Sequence, residues 1–276
     1  MAAADRNAWV AAVGIDVGGT KIAAGVVDTS SGAVVERRRI PTRPERGGTA
    51  VLANCAALAS DLGGERLPVG IALCELVDLE GRPASGDTVD WRGLDIAARV
   101  GAPSVVVESD VRAAALAEAR FGAGVGVSPF VFVVVGTGAS ACLVLDGRPY
   151  AGAHGEALVL GAPPVELMAS GPALARAAGL ERAEDVLADP AHAAALDDAA
   201  TALGSVLAVL ANALDPALVV LGGGLGTAPA FRERVERALQ ERVAYRREPP
   251  LPLVGSSLGA DGGVVGAALV AVGLQG

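Results

Sequence analysis

Gly14-Ile15-Asp16-Val17-Gly18-Gly19-Thr20-Lys21 is the stretch that decides how this chain is read. A strand is expected over Val10–Ile15 and another over Ile22–Val27, so Gly18-Gly19-Thr20 is a turn between them. Asp28-Thr29-Ser30-Ser31-Gly32 supplies a second turn and Ala33–Ile40 a third strand. Two successive hairpins predict an antiparallel meander, unlike the strand–turn–helix opening of a Rossmann unit. Adjacent glycines let the backbone approach a phosphate, and successive N–H groups form an anion-binding concavity. Thr20 adds a hydroxyl donor and Lys21 closes the motif, while Asp16 stands where a carboxylate can organise Mg²⁺ through water. The alternative is an ordinary hairpin with a Gly-Gly turn.

Bulk properties narrow the field around this motif. The chain has 276 residues, 52% hydrophobic and 19% charged, which suits one large or two modest globular domains. A net charge of −9 argues against nucleic acid as a partner, because phosphate backbones require a basic field. ATP remains compatible, since Mg²⁺ and a few amides neutralise a triphosphate locally. Met1–Arg6 lacks the order of a signal peptide, and apolar runs such as Phe130–Val135 fall far short of the roughly 20 residues of a membrane helix. Cys55, Cys74 and Cys142 are scattered and odd in number, as expected of reduced, buried thiols in a cytoplasmic protein.

Further along, helices are expected over Ala50–Leu62, Trp91–Arg99 (with Asp90 near its start), Asp110–Phe121, Leu196–Leu214, Phe231–Val243 and Val264–Val272. Strands are expected over Pro68–Leu73, Ser104–Glu108, Pro129–Val135, Ala139–Leu145 and Leu218–Leu221. Gly136-Thr137-Gly138 repeats the strand–glycine turn–strand arrangement of the N-terminus, and Gly222-Gly223-Gly224 ends a buried strand with backbone open to a purine and ribose. Three such elements together read as an ATP clamp.

In this order the residues resemble the sugar-kinase branch of the actin/hexokinase superfamily, specifically the ROK (repressor, ORF, kinase) family. Gly14–Asp28 is similar to its first phosphate motif, Val135–Gly138 to its second, Asn212–Gly224 to its adenosine-side segment and Leu258–Ala268 to its closing helix. The resemblance implies a two-lobed α/β, ribonuclease H-like fold with nucleotide between the lobes. Residues 1–118 would form a small lobe and 119–276 a large one, the closing helix being able to pack on the small lobe. It also implies ATP and Mg²⁺ as cofactors, a small sugar-like substrate and a homodimer, with neither nucleic acid nor membrane as a partner. Val107-Glu108-Ser109-Asp110-Val111-Arg112-Ala113-Ala114-Ala115-Leu116 resembles the family's Glu-Asn-Asp-Ala-Asn-x-Ala-Ala-Leu segment, which maps the catalytic aspartate onto Asp110. A carboxylate at a strand-to-helix junction is rigidly aimed to accept a hydroxyl proton, though an aspartate there also serves as a simple helix cap. Arg112 could bind phosphate or pair with Glu108.

The acceptor half departs from that pattern. Gly152-Ala153-His154-Gly155-Glu156 stands before a segment in which Val159 and Ala162 occupy the family's glutamate and histidine positions. The Cys-rich zinc loop has no counterpart, so no zinc is expected. Asp87 takes the place of a sugar-binding asparagine, Ser109 that of the asparagine beside the catalytic aspartate, and Cys74-Glu75 that of a Pro-Gly or similar pair. Glu75, Asp87, Ser109, Asp110, His154 and Glu156 are therefore the expected acceptor contacts. Such exchanges would strand polar groups in a site built for glucose. The expected acceptor is sugar-like but not ordinary glucose: a C7-cyclitol of the valiolone type, with a kanosamine-like amino sugar or hexose 6-phosphorylation as alternatives. A non-catalytic sugar-sensing protein is the competing reading.

Overall fold

The computed structural model describes residues 10–157, 168–245 and 248–274. Its contacts divide into two compact units. The first comprises the chain up to Phe121, Arg148–Ala157 and the chain from Asp261; the second comprises Gly122–Gly147 and Leu158–Ala260.

The first unit is built on strands β1 (Ala11–Val17), β2 (Lys21–Asp28), β3 (Val34–Pro41), β4 (Val69–Leu73) and β5 (Val105–Ser109), ordered β3-β2-β1-β4-β5. The β1–β2 and β2–β3 pairs are antiparallel, and β1–β4 and β4–β5 are parallel. Alternation along β1 sends Val13, Ile15 and Val17 into a core shared with helix α1 (Gly48–Asp61), through Val51, Leu52 and Cys55. Gly14 and Asp16 point to the other face. There the C-terminal helix approaches so closely that a β-carbon on Gly14 would lie 1.9 Å from the Val264 carbonyl oxygen. One on Gly70 of β4 would lie 1.7 Å from that of Ala267. Only glycine tolerates such contact between helix and sheet backbones.

Helix α2 spans Ile96–Val100 and begins with Asp95, whose carboxylate accepts from the Ala98 amide at 2.9 Å. This corrects the expected helix over Trp91–Arg99. Gly93 adopts φ 71°, which breaks helical continuity, and Asp90 instead caps a turn by accepting from the Arg92 amide. Helix α3 (Asp110–Phe121) follows β5 directly, as expected.

In the second unit four strands run in the order β10-β9-β6-β7, namely β6 (Phe130–Val135), β7 (Ala139–Leu145), β9 (Leu218–Gly222) and β10 (Leu253–Gly255). The two-residue β8 (Arg148–Pro149) belongs to the first unit and neighbours α3. The β6–β7 hairpin is antiparallel, and β6–β9 and β9–β10 are parallel. The hairpin-plus-parallel-strand plan of the first sheet thus recurs. Short helices α4 (Gly171–Ala177) and α5 (Ala183–Ala188) precede the long α6 (Ala193–Leu214). Next come α7 (Gly223–Gly226) and α8 (Pro229–Arg242), and then α9 (Gly262–Ala271) of the first unit.

The sequence gives little sign of α4 or α5, which are short and not strongly periodic. Pro190–Leu214 is long and apolar enough to cross a membrane by length and composition alone, unlike the short apolar runs emphasised above. Its apolar character has a role within the fold, because Leu196, Ala199, Leu203, Leu207 and Ala211 enter the core of the second unit.

Candidate active site

Because β1, β4 and β5 are parallel, their C-terminal ends lie at one edge of the sheet, where open α/β sheets present ligand-binding groups. That edge carries Asp16 at the end of β1 with the Gly18–Thr20 turn after it, Cys74 and Glu75 after β4, and Ser109 at the end of β5 with Asp110 directly after it. The β1–β2 hairpin closes with the Gly18 amide donating to the Lys21 carbonyl at 3.0 Å. Thr42, fully buried, fixes it from behind. Its hydroxyl donates to the Gly18 carbonyl at 2.6 Å and its amide to the Thr20 carbonyl at 3.1 Å. Nothing in the composition of the motif singles out Thr42, which lies more than twenty residues away.

Asp16 and Asp110 are half-buried carboxyls with raised pKa values. Desolvation lifts Asp16 to about 6, and the nearby Lys21 ammonium counteracts it. Desolvation likewise lifts Asp110 to about 7, reinforced by the negative charges of Asp16 and Glu75. Asp110 Oδ1 accepts from the Val111 amide at 2.6 Å, which sets the carboxyl at the start of α3. Asp16 lies against the first turn of α9, where a β-carbon on Gly263 would fall 2.5 Å from its carboxyl carbon. The lack of a side chain at Gly263 is what makes room for Asp16, and the sequence motif alone gave no hint of that contact.

The residues expected to contact the acceptor divide by geometry. Glu75 is 6% exposed and its carboxylate accepts four hydrogen bonds: from Ser85 Oγ (2.5 Å), Asp87 N (3.0 Å), Thr88 N (2.8 Å) and Val89 N (2.8 Å). It thereby holds the 85–89 loop, on which the Asp87 side chain is exposed. Ser109 is buried and its hydroxyl meets the Arg112 amide at 3.4 Å. His154 and Glu156 are exposed on either side of buried Gly155. Arg112 pairs with Glu108, Nε to Oε1 at 2.7 Å. Cys74, half-buried beside these carboxyls, has its thiol pushed up to about 12 chiefly by burial. A cavity of about 780 Å³ lies along the β5 edge, with Glu108 and Arg112 in its wall but neither Asp16 nor Asp110. This cavity therefore does not mark the sheet edge at which the Asp16 and Asp110 carboxyls converge.

In the second unit the Gly136 amide donates to the Gly138 carbonyl at 2.9 Å, closing a turn whose Thr137 is exposed. Gly223, at φ 79°, comes so near β6 that a β-carbon would lie 2.3 Å from the Val135 carbonyl oxygen. Gly223 thus packs on the end of β6, just before the Gly136–Gly138 turn, Gly222 pairs with Val134, and Gly224 faces open space. Val159 and Ala162 lie outside the described residues, so the segment expected to lack zinc does too. Among the described residues no group of three or more His, Cys, Asp or Glu side chains is arranged to hold a metal ion.

Residues 12–273 match the ROK family. The chain belongs to the ROK family. A bifunctional enzyme NanE/NanK from Brucella melitensis is 34% identical over 92% of this chain and 52% of that protein. The chain thus spans about half the length of the first of its curated relatives. A glucokinase from Streptomyces coelicolor is 30% identical over 93% of this chain and 96% of its own. Among solved structures, a ROK family glucokinase from Streptomyces griseus in complex with glucose and AMPPNP superposes with a TM-score of 0.85. It is 26% identical and covers 96% of this chain and 100% of that one. This ROK protein therefore shares the α/β architecture of the actin/hexokinase-like glucokinases.

Proposed function

We propose that this ROK protein is an ATP-dependent kinase that phosphorylates a primary hydroxyl of a sugar-like acceptor. The observation that carries the reading is Asp110: a carboxyl with its pKa lifted to about 7, at the sheet edge that also bears the Gly18–Thr20 hairpin and Asp16. A base is most effective when its pKa lies near the working pH. Asp110 Oδ1 accepts from the Val111 amide, which aims the carboxyl that would take the hydroxyl proton.

Gly18, Gly19, Thr20 and Lys21 in the first unit, and Gly136–Gly138 with Gly222–Gly224 in the second, are the elements read as holding the nucleotide. Half-buried Asp16, with its raised pKa and oxygen donors, fits a hard divalent cation, which Mg²⁺ satisfies with one or two carboxylates plus phosphates and water. When bound, Mg²⁺ would neutralise phosphate charge. Phosphoryl transfer otherwise needs mainly alignment, which the backbone turns and the aimed Asp110 provide.

The acceptor differs from ordinary glucose on this reading, because Asp87 and Ser109 replace amides and exposed His154 and Glu156 add titratable groups. A C7-cyclitol with an exocyclic CH₂OH or an amino sugar suits these carboxylates. The free thiols of Cys55, Cys74 and Cys142 suit a reducing cytoplasm. ADP release measured across hexoses, amino sugars and C7-cyclitols is the direct test. Turnover with a cyclitol or amino sugar supports the reading, strong glucose turnover removes the acceptor assignment, and no ADP with any acceptor favours the sugar-sensing alternative.

A further inference from the structure

Arg112 is the fulcrum of the acceptor side, although a phosphate-binding role is open to it on sequence grounds. It sits in the first turn of α3, two residues beyond Asp110, and is 6% exposed. Its guanidinium makes three kinds of contact. Nε donates to Glu108 Oε1 at 2.7 Å, one terminal nitrogen donates to the Val77 carbonyl at 2.7 Å, and the other donates to the Gly155 carbonyl.

The segments joined in this way are the ones that bear the candidate acceptor residues. Val77 follows Glu75 by two positions, and Gly155 lies between His154 and Glu156. The two loops also touch directly. Gly155 adopts φ 79°, and a β-carbon there would lie 2.3 Å from the Val77 oxygen. A buried arginine is retained only when its donors are satisfied, and its planar fork fixes the direction of each partner. Lysine, with a compact charge on a flexible stem, reproduces that geometry poorly.

We infer that Arg112, charge-balanced by Glu108, is a positioning residue that sets the loop bearing His154 and Glu156 in register with the Asp110 helix. The guanidinium is turned towards backbone carbonyls and a carboxylate, so it recognises the protein's own loops and not phosphate. The inference rests on the kinase reading for its functional consequence and on the Arg112 contacts for its structural one.

The test uses the full chain carrying Arg112→Met, with the acceptor found in the ADP-release screen. Loss of register is expected to raise the acceptor KM and lower kcat by about tenfold each, since small misplacements of reacting groups are costly. The KM for ATP should stay within about twofold, because uniform binding of the nucleotide is untouched. Methylguanidinium should restore part of the activity to Arg112→Ala and none to Arg112→Met. Unchanged acceptor kinetics, or equal losses for both substrates that follow the folded fraction, would overturn the inference. If Arg112→Met fails to fold because it strands the Glu108 carboxylate, Arg112→Met/Glu108→Gln removes both charges and should show the same kinetic split.

Amide exchange separates failure of this inference from failure of the kinase reading. The Asp78 amide, bonded to the Arg82 carbonyl, and the Ala157 amide, bonded to that of Ala151, should exchange faster in Arg112→Met while β1–β2 amides do not change. That selective acceleration supports the clamp even if no acceptor is turned over. Unaltered exchange at Asp78 and Ala157 refutes it whatever the catalytic result.

Discussion

Replacing Asp110 with asparagine should remove phosphoryl transfer and, at alkaline pH, stabilise the free protein. In the folded state the carboxyl titrates at about 7 instead of 3.8, mainly because it is desolvated and faces Asp16. The sign follows from linkage. Between those two pH values the folded state binds more protons at this carboxyl than the unfolded one, so its contribution to stability is greatest at low pH and is lost as pH rises through about 7. The full displacement corresponds to about 4 kcal/mol at about 1.4 kcal/mol per pH unit. Partial exposure of the carboxyl screens much of this, which leaves about 1–2 kcal/mol. Asparagine stays neutral and can still accept from the Val111 amide. Thermal unfolding of the nucleotide-free protein should therefore show Asp110→Asn and wild type alike at pH 4. At pH 8 the variant should melt about 2–3 °C higher for a chain of this size. The same variant should lose at least about 100-fold in kcat, the usual contribution of a general base. A variant that is no more stable than wild type at pH 8 would refute the electrostatic reasoning, and one that keeps near-normal turnover would refute the assignment of the base.

Other perturbations test neighbouring parts of the site. Gly263→Ala would force a methyl group to within 2.5 Å of the Asp16 carboxyl carbon; the ATP KM should rise more than about tenfold and the Mg²⁺ requirement should shift upward, as titrations in steady-state assays would show. Thr42→Val removes the hydroxyl that holds the Gly18 carbonyl and should raise the ATP KM about fivefold, the equivalent of one hydrogen bond near 1 kcal/mol, with little effect on the acceptor KM. Glu75→Gln places an amide where four donors converge; urea denaturation should show a loss of about 2–3 kcal/mol, and proteolysis should begin at the 85–89 loop.

The parts of this architecture that depend on local chemistry are legible in the chain. Glycines between apolar runs place both hairpin turns, Gly18–Thr20 and Gly136–Gly138, and Asp110–Phe121 shows its helix through alanine-rich periodicity and an acidic start. The family resemblance picks out Asp110 from other helix-capping aspartates. Long-range partners are harder to read. A glycine at 14 or 70 says that something approaches closely, but not that α9 does. Glu75 has the composition of a sugar ligand, and its four hydrogen bonds become visible only once the 85–89 loop is folded over it. Arg112 is similar, because its carbonyl partners lie 35 and 43 residues away along the chain. Helix α2 starts later than the sequence predicts because Asp90 and Asp95 are equally good caps in isolation, and the backbone at Gly93 chooses between them.

The glycine seat of α9 has a consequence for biosynthesis. Gly14 and Gly70 leave bare backbone on one face of the first sheet, and its cover, Gly262–Ala271, is about 150 residues downstream of Phe121. At about 5–20 residues per second, a ribosome needs on the order of 10–30 s to supply it. Throughout that interval the nascent sheet presents an unfilled slot shaped for a helix, while the second unit is completed ahead of the first. Translation pauses between residues 122 and 260 should therefore lengthen the exposure of the slot and lower the soluble yield.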